Sequence, residues 1–114
     1  MIKKVHIIGL GLMGTNLGLK LVEKGILVSG TDILEQNVVR AKEYGALNNE
    51  FDSQDDYDLT VLSMPINEII SFFDSDFTQI KTKLIMDLGG TKHLIRLKMD
   101  NSVIPCVGGH PLCG

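Results

Sequence analysis

The sequence predicts a doubly wound α/β fold, in which helices cover both faces of a parallel sheet. Short apolar, β-branched runs alternate along the chain with segments whose apolar residues recur at helical spacing. Glycines follow several of these runs, where the chain has to turn. Helical segments between successive apolar strands imply parallel pairing through right-handed crossovers. With 114 residues, the chain has the size of one domain.

The individual elements follow from local patterns. Residues 3–8 form a β-branched run that ends in glycine, which predicts a buried strand. Residues 14–24 carry Leu17, Leu21 and Val22 on one side and charged residues on the other, which predicts an amphipathic helix. The complete prediction is strand 3–8, helix 14–24 ended by Gly25, strand 26–31, helix 34–44 with Leu34, Val38 and Ala41 inward and Gly45 as its end, strand 59–63, a helix opened by Pro65, strand 84–88, helix 92–99 and strand 103–107.

Segment 48–58 lacks a clear period. We predict a polar loop, with at most one short strand around residues 46–47, and we expect Asp55, Asp56 and Asp58 to be solvated. No helix follows the last predicted strand, although a doubly wound sheet needs helices on both faces. We therefore expect the folding unit to be truncated.

The composition argues against several classes of function. Lysine and arginine number 11, aspartate and glutamate 14, and the net charge is −3 without a basic cluster, so binding to nucleic acid or an anionic membrane is not expected. The apolar runs are far shorter than the roughly 20 residues that span a bilayer. Cys106 and Cys113 form no disulfide framework and are expected to be reduced thiols in the cytoplasm. The spacing of histidines and cysteines suggests no metal site.

A glycine-rich turn follows the first predicted strand and opens the first predicted helix. Residues 9–14 match the pattern G-x-G-x-x-G in the context that a phosphate-binding turn requires. Gly9 permits a tight turn, Gly11 lets the backbone approach a pyrophosphate, and Gly14 lets the helix lie close to the strand. The helix N-terminus offers unpaired N–H groups to phosphate oxygens, so Leu12 and Met13 are also predicted to contact the cofactor. The alternative is a glycine-rich turn without a ligand.

Asp32 follows the second predicted strand. A carboxylate there can accept hydrogen bonds from both ribose hydroxyls of an adenosine, and it would repel a 2′-phosphate, which favours NAD over NADP. The alternative is that Asp32 caps the helix beginning near Leu34, and the two roles can coexist.

Small and polar residues also follow the later strands. Ligands of a doubly wound sheet bind beyond the carboxyl ends of its strands, so Ser63, Met64, Pro65 and Gly89 are predicted to contact the cofactor.

Two further residues of this kind, Thr91 and His110, follow strands that we expect to be neighbours. His110 is the candidate proton acceptor, because imidazole can take a proton at neutral pH. The alternative is a turn residue beside Pro111. His6, inside the first predicted strand, is expected to be a buried and hydrogen-bonded core residue.

Three segments together resemble the prephenate/arogenate dehydrogenase family of tyrosine biosynthesis. They are Gly-Leu-Gly-Leu-Met-Gly at 9–14, Asp-Leu-Gly-Gly-Thr-Lys at 87–92 and Gly-Gly-His-Pro-Leu-Cys-Gly at 108–114. The first also resembles β-hydroxyacid dehydrogenases and pyrroline-5-carboxylate reductases, whereas the Gly-Gly-His-Pro segment is much more specific. The resemblance covers essentially the whole chain. It implies a Rossmann-type NAD-binding domain over residues 1–114 and oxidative decarboxylation of prephenate or arogenate.

The same resemblance implies residue roles. His110 would take the proton of the ring hydroxyl as hydride leaves the same carbon, and Thr91, at a position where serine is usual, would help to position the nicotinamide and the histidine. Family members continue into a helical domain that forms a dimer interface and binds the substrate carboxylates, so a homodimer is expected of the full-length protein and the chain alone is expected to be inactive. Two alternatives stay open: a non-catalytic dinucleotide-binding or regulatory module, and a β-hydroxyacid-type dehydrogenase fragment.

Overall fold

A parallel sheet carries the structure, a computed structural model that describes residues 2–64, 80–88 and 106–108. The elements within these residues are β1 (Lys4–Ile8), α1 (Leu12–Glu23), β2 (Leu27–Thr31), α2 (Glu35–Glu43), β3 (Asp56–Tyr57), β4 (Leu59–Leu62), β5 (Lys81–Thr82), β6 (Ile85–Asp87) and β7 (Cys106–Gly108). Five strands pair in the order β2-β1-β4-β6-β7, and every pairing is parallel. The predicted doubly wound α/β fold is confirmed. The helices predicted after Pro65 and over residues 92–99 lie outside the described residues.

The direction of winding changes at β1. From β1 the chain passes through α1 to β2 on one side, and it returns to β4 on the other side. The buried side chains of Val5, Ile7, Val28 and Val61 form the centre of the core. The predicted apolar face of α1 packs against this core. The sheet therefore holds the ends of β1 and β4 in fixed positions next to each other.

The start of α2 differs from the prediction. The helix begins at Glu35, and Leu34 precedes it with extended backbone and a side chain that is 51% exposed. A hydrogen bond explains the position of Leu34: Asp32 Oδ1 accepts the Leu34 N–H at 2.8 Å and holds this residue outside the helix. The expectation that Leu34 faces inward is therefore wrong. Ala41 is buried and Val38 packs against the core, as predicted.

Residues 46–58, called here the covering segment, also differ from the prediction. Ala46 and Leu47 are buried but form no strand. Instead, the side chain of Asn48 pairs with the outer strand β2, accepting the Val28 N–H at 2.7 Å and donating to the Ile26 carbonyl at 3.1 Å. The backbone N–H groups of Asn48 and Asn49 also donate to the Val28 carbonyl, at 3.0 Å each, so side-chain and backbone bonds together fasten this segment to β2 without a strand.

The end of the covering segment is ordered where a loop is predicted. β3 pairs with β5 in a separate two-stranded parallel sheet. Asp55 forms an ion pair with Lys4 at 3.4 Å, and Asp58 accepts the backbone N–H groups of Lys3 and Lys4. Asp55 and Asp58 keep 39% and 23% of their side-chain surface exposed, so they stay in contact with solvent as expected, but their carboxylates also fix the start of β1.

Within the described ranges, neither helix has the length and apolar character needed to cross a bilayer.

Candidate functional site

A cleft of about 690 Å³ opens beyond the carboxyl ends of β1, β2 and β4. It lies where the winding direction changes, which is the position at which doubly wound sheets bind ligands. Of the residues predicted to bind a cofactor, five line this cleft: Gly9, Gly11, Asp32, Ser63 and Met64. The other described lining residues are Ile8, Thr31, Ile33, Leu34 and Asn37.

Two glycines of the turn are needed for packing inside the chain. A Cβ built on Gly9 would lie 2.1 Å from the Ser63 carbonyl oxygen, and Gly9 has φ of +102°, which L side chains rarely adopt. A Cβ on Gly14 would lie 2.1 Å from the Gly9 carbonyl oxygen. The turn and the first turn of α1 can therefore pack against the end of β4 only without these side chains. Both observations agree with the predicted structural roles of Gly9 and Gly14.

Gly11 differs from both. Its backbone is extended, with φ −76° and ψ −158°, a conformation open to most residues. A Cβ built on it would have no atom within 4 Å. Neither the backbone nor internal packing therefore requires a glycine here, and Gly11 lines the cleft. The open space beside its backbone fits the close approach of a diphosphate that the motif predicts.

The N-terminus of α1 follows Gly11 directly. No side chain caps this helix and its first turn contains no acidic residue. The first N–H groups of an α-helix have no partner within the helix and carry partial positive charge, so this end suits an anion. Leu12 and Met13, predicted as cofactor contacts, lie in this first turn with Leu12 79% exposed, but neither they nor Gly14 line the cleft.

Asp32 connects the two loops that border the cleft. Its Oδ2 accepts the Leu10 N–H at 2.6 Å, and its Oδ1 accepts the Leu34 N–H at 2.8 Å. A carboxylate offers about four acceptor positions, so two hydrogen bonds leave capacity for the hydroxyls of a ribose. The carboxylate can therefore still take the ribose role, but the alternative that Asp32 caps α2 is wrong, because it accepts the N–H of Leu34 and no N–H of the first helical turn. Its bond to Leu34 precedes α2, whose N-cap residue is Leu34 itself.

Three cleft residues on the β2–α2 side were missed from the sequence. Ile33 and Leu34 are exposed apolar residues directly after Asp32, and Asn37 lies one helical turn beyond Leu34. Their position next to Asp32 could have indicated them. The apolar character of Leu34 instead suggested a core position.

His6 is buried, with 1% of its surface exposed, as predicted. Its Nδ1 lies 2.7 Å from Ser29 Oγ, and its Nε2 lies 3.3 Å from Thr31 Oγ1. The rings of Phe51 and Tyr57 pack beside it, with centroids 4.3 and 5.5 Å away. Burial lowers the pKa of His6 to about 4, so the imidazole is neutral at pH 7. His6 is therefore a core residue that also holds the hydroxyl of a cleft residue.

The catalytic candidates Thr91 and His110 lie outside the described residues, as do Pro65 and Gly89. The strands that precede Thr91 and His110 are described. β6 and β7 pair in parallel, with Asp87 opposite Gly108, so the predicted neighbourhood of these two strands is confirmed.

Comparison with solved structures agrees with this fold. Prephenate dehydrogenase from A. aeolicus, in complex with hydroxyphenyl propionate and NAD+, matches with a TM-score of 0.85 and 22% identity over 100% of this chain and 43% of that one. Arogenate dehydrogenase from Synechocystis matches with a TM-score of 0.82 and 21% identity over 94% and 40%. A 3-hydroxyisobutyrate dehydrogenase from Mycobacterium tuberculosis matches with a TM-score of 0.74 and 15% identity over 96% and 40%. The chain thus spans less than half of each of these proteins.

No curated protein matches the chain. The model of the prephenate dehydrogenase nucleotide-binding domain matches residues 17–114. This match begins after the glycine-rich turn, so the turn and the family match are separate observations that agree. The chain therefore belongs to the family of prephenate dehydrogenase nucleotide-binding domains.

Proposed function

We propose that the chain binds NAD in the cleft and acts as the nucleotide-binding part of a prephenate or arogenate dehydrogenase. The observation that carries this proposal is the open space beside Gly11, a position where neither the backbone conformation nor internal packing requires a glycine. The sequence around it, the uncapped N-terminus of α1 and the family match all support a nucleotide with a diphosphate at this position.

Each part of the cleft would bind a different part of the cofactor. Backbone N–H groups of the turn and of α1 would bind the diphosphate. Asp32 would accept hydrogen bonds from the adenosine ribose, and its negative charge would disfavour the 2′-phosphate of NADP. When bound, NAD would supply a hydride acceptor. The chain would thus hold the dinucleotide and select the form without a 2′-phosphate.

The reaction assigned to the whole enzyme is oxidative decarboxylation, giving 4-hydroxyphenylpyruvate from prephenate or tyrosine from arogenate. By resemblance, His110 would accept the proton of the ring hydroxyl and Thr91 would help to position the reacting groups. Recognition of the substrate carboxylates, a homodimer interface and a cytoplasmic location belong to the same proposal for the full-length protein. The support for this part is the family match and the pairing of β6 with β7.

Titration of the full chain with NADH, followed by nicotinamide fluorescence, tests the binding proposal. We expect saturable binding, and we expect Gly11→Val to weaken it at least about tenfold, because the added side chain occupies the space of the diphosphate. Thermal unfolding should show at most a modest loss of stability in this variant, because a Cβ at Gly11 meets no atom of the chain and valine is a poorer N-cap residue than glycine. Unchanged affinity in a folded Gly11→Val protein would contradict this mode of binding.

The alternatives are separated by activity in a complete enzyme. A prephenate or arogenate dehydrogenase would lose turnover on His110→Ala. A non-catalytic module would bind NADH and tolerate the same substitution in a cell that depends on it for tyrosine. A β-hydroxyacid-type dehydrogenase would oxidise a 3-hydroxy acid instead of prephenate or arogenate.

A further inference from the structure

Asn37 is held against the cleft by the same network that begins at Asp32. Asp32 Oδ1 accepts the Leu34 N–H at 2.8 Å, and the Leu34 carbonyl accepts the Asn37 N–H at 3.0 Å. Asn37 lies in the first turn of α2 and lines the cleft beside Ile33 and Leu34. Its backbone position is therefore fixed by the carboxylate that is proposed to bind the ribose.

The orientation of the Asn37 amide is fixed by Arg40. Arg40 Nη2 donates to Asn37 Oδ1 at 2.8 Å. A guanidinium has only donors, so the Asn37 amide must turn its oxygen toward Arg40, and its nitrogen then points away from Arg40. Within the described residues, the Asn37 side-chain nitrogen donates no hydrogen bond. A cation on the carbonyl oxygen also polarises the amide and strengthens its N–H groups as donors.

Amide N–H donors are absent from the other described lining side chains, and the Ser63 hydroxyl, also a donor, lies at the end of β4 on the far side of β1 from Asn37. Asp32 can only accept, and Ile33, Leu34 and Met64 are apolar. The Thr31 hydroxyl lies 3.3 Å from His6 Nε2. Among the described lining residues, Asn37 alone carries side-chain N–H groups. A group that lies beside Asp32 and the exposed side chains of Ile33 and Leu34 would therefore meet its side-chain N–H donors at Asn37.

We propose that Asn37 recognises the purine base of the bound dinucleotide, donating its amide N–H groups to ring nitrogens, with Arg40 as a positioning residue. Purine ring nitrogens are acceptors, and the flat ring suits the apolar surface of Ile33 and Leu34. The ribose hydroxyls are matched by Asp32. This assignment rests on the proposed binding of NAD and adds to it a contact that distinguishes the base from the sugar.

The test compares AMP with ribose 5-phosphate, which lacks the base. Both are titrated into the full chain and into Asn37→Leu, which removes the donors and keeps the approximate size. Loss of such a hydrogen bond should weaken AMP roughly 3- to 10-fold and leave ribose 5-phosphate unchanged. Gln36→Leu is the matched control, because Gln36 is an exposed amide of the same helix that does not line the cleft. Thermal unfolding verifies that both variants fold.

Arg40 variants test its positioning role. Arg40→Ala should weaken AMP by a smaller factor, because the amide is then free to turn, and Arg40→Lys should restore the affinity, since lysine is also a donor without acceptors. The proposal is overturned, while NADH binding by the wild type stands, if Asn37→Leu leaves the affinity for AMP unchanged or weakens AMP and ribose 5-phosphate equally. It is also overturned if Gln36→Leu weakens AMP as much as Asn37→Leu does. A wild-type chain that binds neither NADH nor AMP would overturn the proposed function as well.

Discussion

Asp32 and Asp58 make the same kind of contact at different places in the molecule. Asp32 accepts two backbone N–H groups, from Leu10 and Leu34, and borders the cleft. Asp58 accepts two backbone N–H groups, from Lys3 and Lys4, and its second oxygen lies 3.5 Å from the Lys83 ammonium. The first carboxylate links two loops beside open space. The second fastens the start of β1 to the covering segment and has a cation of the chain itself as its counter-charge.

The surroundings of the two carboxylates also differ, because the chain leaves open space near Asp32, whereas its own side chains pack together in the covering segment that ends at Asp58. At the cleft, Gly11 leaves space that the chain does not use. In the covering segment, Asn48 pairs with β2 and the rings of Phe51 and Tyr57 pack on His6. The comparison teaches that bonding alone does not mark a binding site, because both regions have strong side-chain to backbone hydrogen bonds. Open space next to such bonds distinguishes the region that suits a ligand.

The largest expected effect separates the glycines of the turn. Gly9→Ala should destabilise the fold by about 2–5 kcal/mol, because it adds an atom 2.1 Å from a carbonyl oxygen at a positive φ. Gly11→Ala should cost no more than about 1 kcal/mol, because its Cβ meets nothing and only the preference for glycine over alanine at the N-cap of α1 is lost. Urea unfolding of the two variants and the wild type measures the difference. Similar destabilisation in both variants would show that Gly11 is also a packing residue.

The part of the fold that could be predicted depends on local regularity. β1, α1 and Gly9 follow from alternation, helical spacing and a motif whose members lie within a few residues of each other. The rule that ligands of such sheets bind beyond the carboxyl ends of the strands then predicted that Asp32 and Ser63 lie at one edge of the sheet, where both line the cleft. Residues on regular elements, and those directly after them, were therefore predictable.

The remainder depends on partners that are distant in sequence. Asn48 contacts Ile26 and Val28, and Asp58 contacts Lys3 and Lys4, across separations that no local pattern records. A polar segment that meets such partners has the same composition as a solvated loop. For the same reason the exposure of Leu34 was missed, because it follows from a bond to Asp32 and not from its apolar side chain.

The second largest expected effect is the pH dependence of stability, which tests how tightly the covering segment encloses His6. The contacts of His6 are hydroxyls and aromatic rings, and burial lowers its pKa from 6.5 to about 4. Well above pH 6.5 the imidazole is neutral in both the folded and the unfolded chain, so it adds no pH dependence to the free energy of unfolding. Between pH 6.5 and 4 the unfolded chain binds a proton that the folded chain does not, so stability falls as the pH falls, by about 3 kcal/mol in total.

Urea unfolding at several pH values measures this loss in the wild type and in His6→Gln. The variant is expected to lose stability at neutral pH, because it changes a packed core residue, but to show a flatter profile between pH 6.5 and 4. An identical slope in both proteins would assign the pH dependence to other groups and contradict enclosure by the covering segment.

The smallest effects compare the two aspartates directly. Asp58→Ala should destabilise the chain by about 1–2 kcal/mol through loss of its backbone hydrogen bonds, without changing the affinity for NADH. Asp32→Ala should cause a similar loss of stability and, in addition, weaken NADH by about 1–3 kcal/mol. Urea unfolding and NADH titration on the same samples separate the two quantities. Equal NADH affinity in both variants would reduce Asp32 to a link between loops.

The acid limb of the profile gives Asp58 a signature of its own. The Lys3 N–H lowers the pKa of Asp58 most, burial opposes this, and the Lys4 N–H and the Lys83 ammonium lower it further. The folded carboxylate therefore stays ionised to a lower pH than the unfolded one, so its contribution is complete above the ordinary value of 3.8 and is lost as the pH falls through the folded pKa. The stability difference between wild type and Asp58→Ala should hold constant from pH 7 to 5 and narrow below about pH 3.8. Burial of His6 changes stability between pH 6.5 and 4, so the two pH ranges are separate. If the stability difference between wild type and Asp58→Ala narrowed already between pH 6.5 and 4, Asp58 and the covering segment would unfold together before the sheet does.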